Sequence, residues 1–202
     1  MIINIFFHYL RVLILKLKNK ICTLFLRIKL FTMNVNYGKN VKALNGVPLI
    51  IIHSKVRKCY IGNNVTFRSF QDVCWNSNCY VQVKKNATFI FGDNSGISGS
   101  MIYCQNKIEI GRNVMIGGGC RLFDTDFHPI DADKRIDQKY VNDGKSAPIY
   151  IEDNVFIGTN CIIGKGVRIG QGSVVAAGSV VVKSIPSNEI WGGNPAKFIR
   201  RI

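Results

Sequence analysis

The sequence predicts an all-β protein: a parallel β-helix of six-residue coils, with an N-terminal helical extension and one long excursion loop. Three observations support this fold class. β-Branched residues recur every six positions, without a gap, from Ile151 to Val181. Similar Gly-Asn units, such as Ile61-Gly62-Asn63-Asn64-Val65 and Ile110-Gly111-Arg112-Asn113-Val114, recur from residue 60 onward. Residues 123–150 then interrupt the repeat.

The six-residue ladder fits neither an amphipathic helix nor a simple hairpin meander. It fits a coil in which each hexad forms one short strand and one corner, with one residue pointing inward. Stacked coils bury these residues in a continuous column, so stability comes from the stack and not from a single hexad. The ladder consists of Ile151, Ile157, Ile163, Ile169, Val175 and Val181, preceded in another phase by Ile110, Ile116 and Leu122.

The N-terminal segment, residues 1–35, is apolar and basic and is predicted to be helical. Residues 1–60 contain eleven Lys and Arg and no Asp or Glu. The longest charge-free run, Met1 to Leu10, is too short to span a bilayer. At about 100° per residue, cations fall on two opposite sides of the helix and not on one polar face. Two interpretations stay open: a shallow interfacial segment in which residues 1–32 contact lipid, or a helix that packs against other subunits.

The formal net charge of +15 is compatible with several anionic partners. No nucleic-acid motif accompanies it, so no nucleic-acid partner is expected. The seven cysteines contain no CxxC pair, and several occupy apolar repeat positions. This usage suits a reducing compartment, and we expect a cytoplasmic protein, peripheral at the inner face of the plasma membrane if the basic segment contacts lipid.

Residues 36–202 are predicted to form the β-helix domain, with an excursion loop at 123–150 and a C-terminal tail at 184–202. A long loop inside a strict repeat favours a functional role. The loop contains Asp124-Thr125-Asp126-Phe127-His128-Pro129, and the tail contains the run from Gly193 to Arg200 with the sequence GNPAKFIR.

With these motifs, residues 60–202 resemble hexapeptide-repeat O-acetyltransferases, in particular the maltose, galactoside and nodulation-factor enzymes and their polysaccharide-modifying relatives. The resemblance implies a left-handed β-helix with three hexads per turn, assembled as a homotrimer with active sites between adjacent subunits. It also implies acetyl-CoA as the donor and a sugar hydroxyl as the acceptor. No metal is expected, because His8, His53 and His128 are too dispersed to form a three-histidine site.

His128 is the predicted general base, since its loop matches that of the family's catalytic histidine. An alcohol attacking a thioester needs a base, and histidine titrates near neutral pH. Asp124 and Asp126 are candidates to orient the imidazole, and Asp126 is slightly favoured; each could instead bind loop amides.

The remaining candidates concern the two substrates. Ser98, with Asp124, is a candidate for acceptor binding, although Ser98 could equally be a corner residue of the coil. Cations outnumber acids after Ile151, which suits the phosphates of CoA, whereas Lys165, Arg168 and Arg201 are interpreted as solvated charges. The residues that match the family's donor contacts are Thr159, Ala177, Lys183, Lys197 and Arg200.

The sequence therefore predicts an acetyl-CoA-dependent acetyltransferase with direct transfer to a sugar hydroxyl, in the biosynthesis of a bacterial surface polysaccharide such as capsule, O-antigen or exopolysaccharide. The acceptor glycan could be lipid-linked. Two alternatives remain: an acetyltransferase for another small acceptor (an antibiotic, serine or an amino sugar), and a non-catalytic β-helix scaffold.

Overall fold

The computed structural model describes residues 2–71 and 76–202. A long helix, α1 (Ile2–Thr32), precedes a three-sided prism of short strands. Successive strands move from the first face to the second and then to the third, and each full turn stacks on the one before it. The hexads of the ladder thus occupy the three faces in rotation, in agreement with the three hexads per turn that the family resemblance implies.

The strands of each face pair in parallel, except for a closing antiparallel hairpin of β21 and β22 on the second face. The first face contains β1 (Asn36–Tyr37), β4 (Lys58–Ile61), β9 (Thr88–Phe91), β12 (Lys107–Ile110), β15 (Ile149–Ile151) and β18 (Arg168–Ile169). The second contains β2 (Lys42–Leu44), β5 (Thr66–Arg68), β10 (Gly96–Ser98), β13 (Met115–Ile116), β16 (Phe156–Ile157), β19 (Val174–Val175), β21 (Glu189–Gly192) and β22 (Lys197–Arg201). The third contains β3 (Leu49–Ile52), β8 (Tyr80–Val83), β11 (Met101–Cys104), β14 (Arg121–Phe123), β17 (Ile162–Ile163) and β20 (Val180–Val181).

The interior of the prism is the hydrophobic core. Every ladder residue from Ile151 to Val181 is at most 2% exposed, as are Ile110, Ile116 and Leu122. Cys120 and Cys161 lie in the same interior at 1% and 0% exposure. The predicted inward column is therefore confirmed, and these cysteines are small buried side chains within it.

The corner between the first and second faces explains the recurring asparagine of the Gly-Asn units. Asn40, Asn64, Asn94, Asn113 and Asn154 all have left-handed backbone angles, with φ between 56° and 62°. Asparagine tolerates this conformation better than other residues with a Cβ, because its short amide can bond locally. The side chains also bond along the stack: Asn64 Nδ2 donates to Asn94 Oδ1 at 2.8 Å and Asn113 Nδ2 to Asn154 Oδ1 at 3.0 Å. One residue type thus sets the turn and links successive coils.

Helix α1 covers the N-terminal end of the prism with its C-terminal half. Cys22, Leu26 and Leu30 are buried and join the core. Thr23 Oγ1 donates to the carbonyl of Ala43 at 3.2 Å and accepts from the same residue's N–H at 3.1 Å. The predicted helical extension is confirmed, and within this chain it packs on the first coil. In residues 2–71 and 76–202, no helix is long and apolar enough to cross a membrane.

Two segments leave the prism. The first is a short antiparallel hairpin of β6 (Phe70–Gln71) and β7 (Asn76–Ser77), which the sequence did not predict. The second is the predicted excursion loop. It runs between β14 and β15 and so covers residues 124–148, because Phe123, Ile149 and Tyr150 belong to strands. It contains one short helix, α2 (Ala132–Ile136).

Candidate active site

The excursion loop starts at the corner between the third and first faces and returns along itself. The N–H of Asp126 donates to the carbonyl of Lys145 at 2.9 Å, and the N–H of Ala147 donates to that of Asp124 at 3.0 Å. Gly144 lies against the outgoing strand so closely that a Cβ there would be 2.5 Å from the carbonyl carbon of Phe127. This close return fixes the base of the loop.

His128 lies at the exposed end of this paired segment. Its Nδ1 is hydrogen-bonded to the main-chain carbonyl oxygen of Val141, on the returning segment of the loop. A carbonyl only accepts, so Nδ1 must carry a proton, and in the neutral imidazole Nε2 keeps its lone pair. The imidazole is therefore held in the tautomer that a general base requires.

The structure places neither predicted aspartate partner on the imidazole. Neither Asp124 nor Asp126 is hydrogen-bonded to the ring of His128 in the described chain. A main-chain carbonyl takes that place, because the loop turns sharply at Phe127, whose φ is +63°. Sequence reasoning missed Val141 since a carbonyl has no signature in the sequence.

Asp124 is fully buried at the corner beneath the loop. Its carboxylate accepts three hydrogen bonds of 2.7 Å from the N–H groups of Gln105, Asn106 and Lys107, at the same corner one coil earlier. Burial raises the pKa of Asp124, and these donors oppose that shift. Both oxygens are engaged inside the protein, and the contact of Asp124 with an acceptor stays a prediction. Asp124 closes a corner of the prism from which the loop departs.

Asp126 forms an ion pair with Lys165, with 2.9 Å between Oδ1 and Nζ. This pair ties the loop to the turn before β18. Lys165, interpreted from sequence as a solvated charge, is therefore a loop anchor. Arg168 is likewise paired, with Glu152 at 2.8 Å, and Arg201 lies 4.0 Å from Glu189.

Aromatic rings surround the turn that presents His128. The ring of Phe127 packs against Tyr103 at 4.8 Å and against Phe123 at 5.6 Å between centroids. Tyr103 and Phe123 are neighbours in register on the outer surface of the third face. Phe127 remains 36% exposed, so the cluster offers a partly open apolar surface next to the imidazole.

The predicted donor residues fall into two groups. Thr159 and Ala177 follow β16 and β19 at the corner between the second and third faces, and both are exposed. Lys197 begins β22 opposite Gly192, at the same edge of the second face. Lys183 instead follows β20 at the far end of the third face, and Arg200 pairs with Ile190 further along the hairpin. Three of the five residues therefore lie at one corner.

The corner with Thr159 and Ala177 is made of bare backbone. Gly117, Gly158 and Ala177 stack there, and a Cβ on Gly158 would lie 2.6 Å from the nitrogen of Ala177. An extended pantetheine arm can reach peptide groups only where side chains are absent. Among the described residues, Lys183 and Lys197 form no ion pair, which leaves them available to phosphate.

Ser98 ends β10 on the same edge, in register with Arg68, and its carbonyl accepts from the hydroxyl of Ser100 at 2.8 Å. Within one chain, Ser98 and the donor corner lie at one end of the third face and His128 lies at the other. The structure therefore does not bring Ser98 and His128 together in a single subunit. No group of three metal-ligating side chains occurs in residues 2–71 and 76–202.

Comparisons with known proteins agree with this architecture. A family model described as the hexapeptide repeat of succinyl-transferase matches residues 148–183. A Saccharomyces cerevisiae protein described as a candidate acetyltransferase is 40% identical over 112 residues, or 55% of each chain. A similar Schizosaccharomyces pombe protein is 47% identical over 97 residues, 47% of this chain and 44% of that one. The chain spans about half the length of the curated relatives it matches.

Solved structures of acetyltransferases are also similar to this chain. A hexapeptide-repeat acetyltransferase of Vibrio cholerae, solved with acetyl-CoA, is 36% identical over 58% of this chain and 61% of its own, with a TM-score of 0.51. A galactoside acetyltransferase in complex with CoA is 32% identical over 63% of this chain and 62% of its own, with a TM-score of 0.53. The polysialic-acid-specific acetyltransferase NeuO is 29% identical over 83% of this chain and 75% of its own, with a TM-score of 0.56. The resemblance to hexapeptide-repeat acetyltransferases and the left-handed β-helix fold are thereby confirmed.

Proposed function

We propose that the protein is an acetyl-CoA-dependent O-acetyltransferase that uses His128 as its general base. The observation that carries this proposal is the hydrogen bond between His128 Nδ1 and the Val141 carbonyl. It directs Nε2 away from the loop backbone, as the nitrogen that carries the lone pair in the neutral ring, at an exposed position beside an open aromatic cluster. A buried histidine with a structural role would have both nitrogens engaged.

The chemistry is a direct transfer. Nε2 takes the proton of the acceptor hydroxyl as its oxygen attacks the thioester carbonyl, so that a C–O bond forms. The C–S bond then breaks, and the proton on His128 passes to the departing thiolate of CoA. The histidine ends as it began, and no metal is required for this balance.

The donor binds at the corner between the second and third faces in this proposal. The bare backbone around Thr159 and Ala177 supports the placement of the pantetheine arm. Lys197 and Arg200 supply positive charge for the phosphates on the same chain, and Lys183, at the other end of the third face, supplies it from the neighbouring copy. The two solved relatives that carry acetyl-CoA or CoA support the identity of the donor.

A homotrimer completes the site in this proposal. His128 and the donor corner lie at opposite ends of the third face of one chain. A neighbouring copy that packs beside this face can place its own donor corner opposite His128. In such an assembly Ser98 would approach the acceptor from the partner chain.

The acceptor is proposed to be a sugar hydroxyl in a bacterial surface polysaccharide, a glycan that could be lipid-linked. The galactoside and polysialic-acid acetyltransferases among the relatives support a carbohydrate acceptor. The exposed ring of Phe127 supports it as well, because aromatic rings pack on the apolar face of sugars. Among the described residues, six cysteines are free thiols, which supports action in the reducing cytoplasm.

Two measurements test the proposal. Calorimetry with CoA should show binding that weakens in Lys197→Gln. Release of CoA thiol in the presence of acetyl-CoA and a panel of a galactoside, maltose and oligosialic acid should identify an acceptor, and mass spectrometry should find the acetyl ester. If CoA does not bind, the scaffold alternative replaces this proposal. Transfer to amines but not to hydroxyls would reassign the acceptor class.

A further inference from the structure

Helix α1 exposes a long apolar stripe on the side that faces away from the prism. At 3.6 residues per turn, the stripe follows an i, i+3, i+4, i+7 pattern and extends about 30 Å. Each of its residues is at least 40% exposed. They are Leu10, Leu13, Ile14, Leu17, Ile21, Leu24, Phe25, Ile28 and Phe31.

The buried side of the same helix points the opposite way. Cys22, Leu26 and Leu30 contact the first coil, and on a helical wheel they lie roughly 180° from the exposed stripe. Helix α1 thus has two apolar sides, of which the prism covers one. A continuous exposed stripe of this length indicates an interaction surface.

Cations border the exposed stripe along both of its edges. Arg11, Lys18 and Lys29 lie along one edge, and Lys16, Lys20 and Arg27 along the other. The arrangement explains why the sequence shows no single polar face: the cations occupy the two boundaries between the two apolar sides. No acid occurs anywhere in residues 1–60.

A groove runs beside the second of these edges, between α1 and β2. It has a volume of about 690 Å³, and its wall is mostly apolar. Lys16, Lys20, Arg27 and Lys42 all line it, together with the stripe residues Leu17 and Leu24. An apolar wall with several cations and no acid suits an amphiphile that carries a negative head group.

We propose that α1 lies flat on an anionic lipid bilayer, with its exposed stripe among the acyl chains and its cations at the head-group phosphates. Helices of this kind bury their apolar side about 5–10 Å below the head groups, and long cationic side chains reach back to the interface. The prism then stands on the membrane through the other side of the helix.

Charge argues against a second copy of the chain as the occupant of the stripe. When two helices pair through an apolar stripe, the residues at its edges face one another, and stable pairs place opposite charges there. Both edges of α1 are positive, so pairing two copies would bring cations together without any acid. Anionic lipid complements both edges at once.

Vesicle binding by the full-length protein tests the proposal. We expect cosedimentation with vesicles of 30% phosphatidylglycerol in phosphatidylcholine, weaker cosedimentation with phosphatidylcholine alone, and loss of the difference at high salt. Failure to bind either vesicle would overturn the proposal. Equal affinity for both would also overturn it, because the cations would then contribute nothing.

A matched pair of substitutions tests the stripe. Leu17 lies on the exposed stripe, whereas Leu15, two residues earlier and 41% exposed, lies on the other side. Leu17→Gln is expected to weaken vesicle binding by about tenfold or more, and Leu15→Gln by less than about twofold. Equal effects of the two substitutions would show that the stripe is not the side of α1 that contacts lipid.

A second pair of double substitutions tests the cationic edge, and both variants lose two positive charges. Lys16→Gln with Lys20→Gln removes two charges from the groove, and Lys55→Gln with Lys85→Gln removes two exposed charges from the prism. At about tenfold per 1.4 kcal/mol, and about 1 kcal/mol per cation, the first pair should weaken binding to anionic vesicles roughly 30-fold.

Light scattering tests whether a second copy of the chain covers the stripe instead. A changed oligomer mass in Leu17→Gln, without vesicle binding of the wild type, would assign the stripe to a second copy.

Discussion

The ladder from Ile151 to Val181 and the excursion loop at 124–148 are adjacent in sequence and differ in almost every physical respect. The ladder repeats one inward apolar residue per hexad, and each of these is buried. The loop exposes most of its side chains and is held by a few specific contacts at its base. The ladder distributes its stability over many equivalent contacts, whereas the loop concentrates its polar chemistry on single residues. Substitutions in the ladder should therefore lower stability, whereas substitutions in the loop should lower activity.

The largest expected effect concerns activity alone. His128→Ala should lower kcat/KM by about 10²–10⁴-fold, the usual contribution of a general base, with no change in the unfolding midpoint because the side chain is exposed. Steady-state kinetics with acetyl-CoA and thermal unfolding measure the two quantities. His53→Ala is the matched control, an exposed histidine on the prism whose Nδ1 accepts from the N–H of Lys55 at 3.0 Å. Wild-type rates in His128→Ala would show that His128 is not the general base.

The next effect concerns stability. Ile157 is 0% exposed in the ladder and Ile130 is 77% exposed in the loop. Ile157→Ala should reduce the free energy of unfolding by about 2–5 kcal/mol through lost burial and the cavity left behind. Ile130→Ala should change it by less than about 0.5 kcal/mol. Denaturant titrations of both variants give the comparison, and similar losses would contradict the division between ladder and loop.

Asp124 lies where the loop leaves the prism, so its substitution tests whether this position affects stability or activity. Asp124→Asn turns an amide N–H₂ toward main-chain donors that a carboxylate satisfies, and should cost about 2 kcal/mol of unfolding free energy. A residue that acted only on substrate would instead lose activity at unchanged stability. Thermal unfolding measured beside kinetics distinguishes the two roles.

The ion pair between Asp126 and Lys165 should have a smaller effect. The Lys165 side chain is 31% exposed and that of Asp126 is 26% exposed, so solvent screens the pair and its contribution is about 1 kcal/mol or less. Lys165→Met should raise hydrogen exchange in the loop at 141–147 without shifting the global midpoint. Unchanged exchange would show that the hydrogen bonds of the returning strand hold the loop by themselves.

The smallest effect depends on pH and belongs to the prism. The N–H and guanidinium of Arg112 hold the pKa of Asp153 below its ordinary value. A carboxyl whose pKa falls on folding stabilises the fold above its unfolded pKa, and that contribution is lost as pH falls through the folded pKa. Asp153→Asn should therefore lower the unfolding midpoint at pH 7, and by less at pH 3. Asp143→Asn, an exposed loop residue, should match the wild type at both.

The sequence alone determined a stacked coil, because one inward β-branched residue per hexad fits neither a helix nor a hairpin meander. Its three sides and its handedness came from the family resemblance. The sequence also indicated the N-terminal helix and the position of the excursion loop, since an interrupted repeat is visible without coordinates. The asparagines of the Gly-Asn units mark the left-handed corner of each coil, which their spacing alone does not predict.

Only the tertiary structure decided which groups meet at the site. The imidazole of His128 is held by a carbonyl thirteen residues later, where the loop returns, and Asp124 accepts from amides of the preceding coil. Such pairings depend on the path of the loop, which no periodicity encodes. The residue spacing of α1 likewise contains both apolar sides of the helix. Only the packing against the first coil shows which side the prism covers.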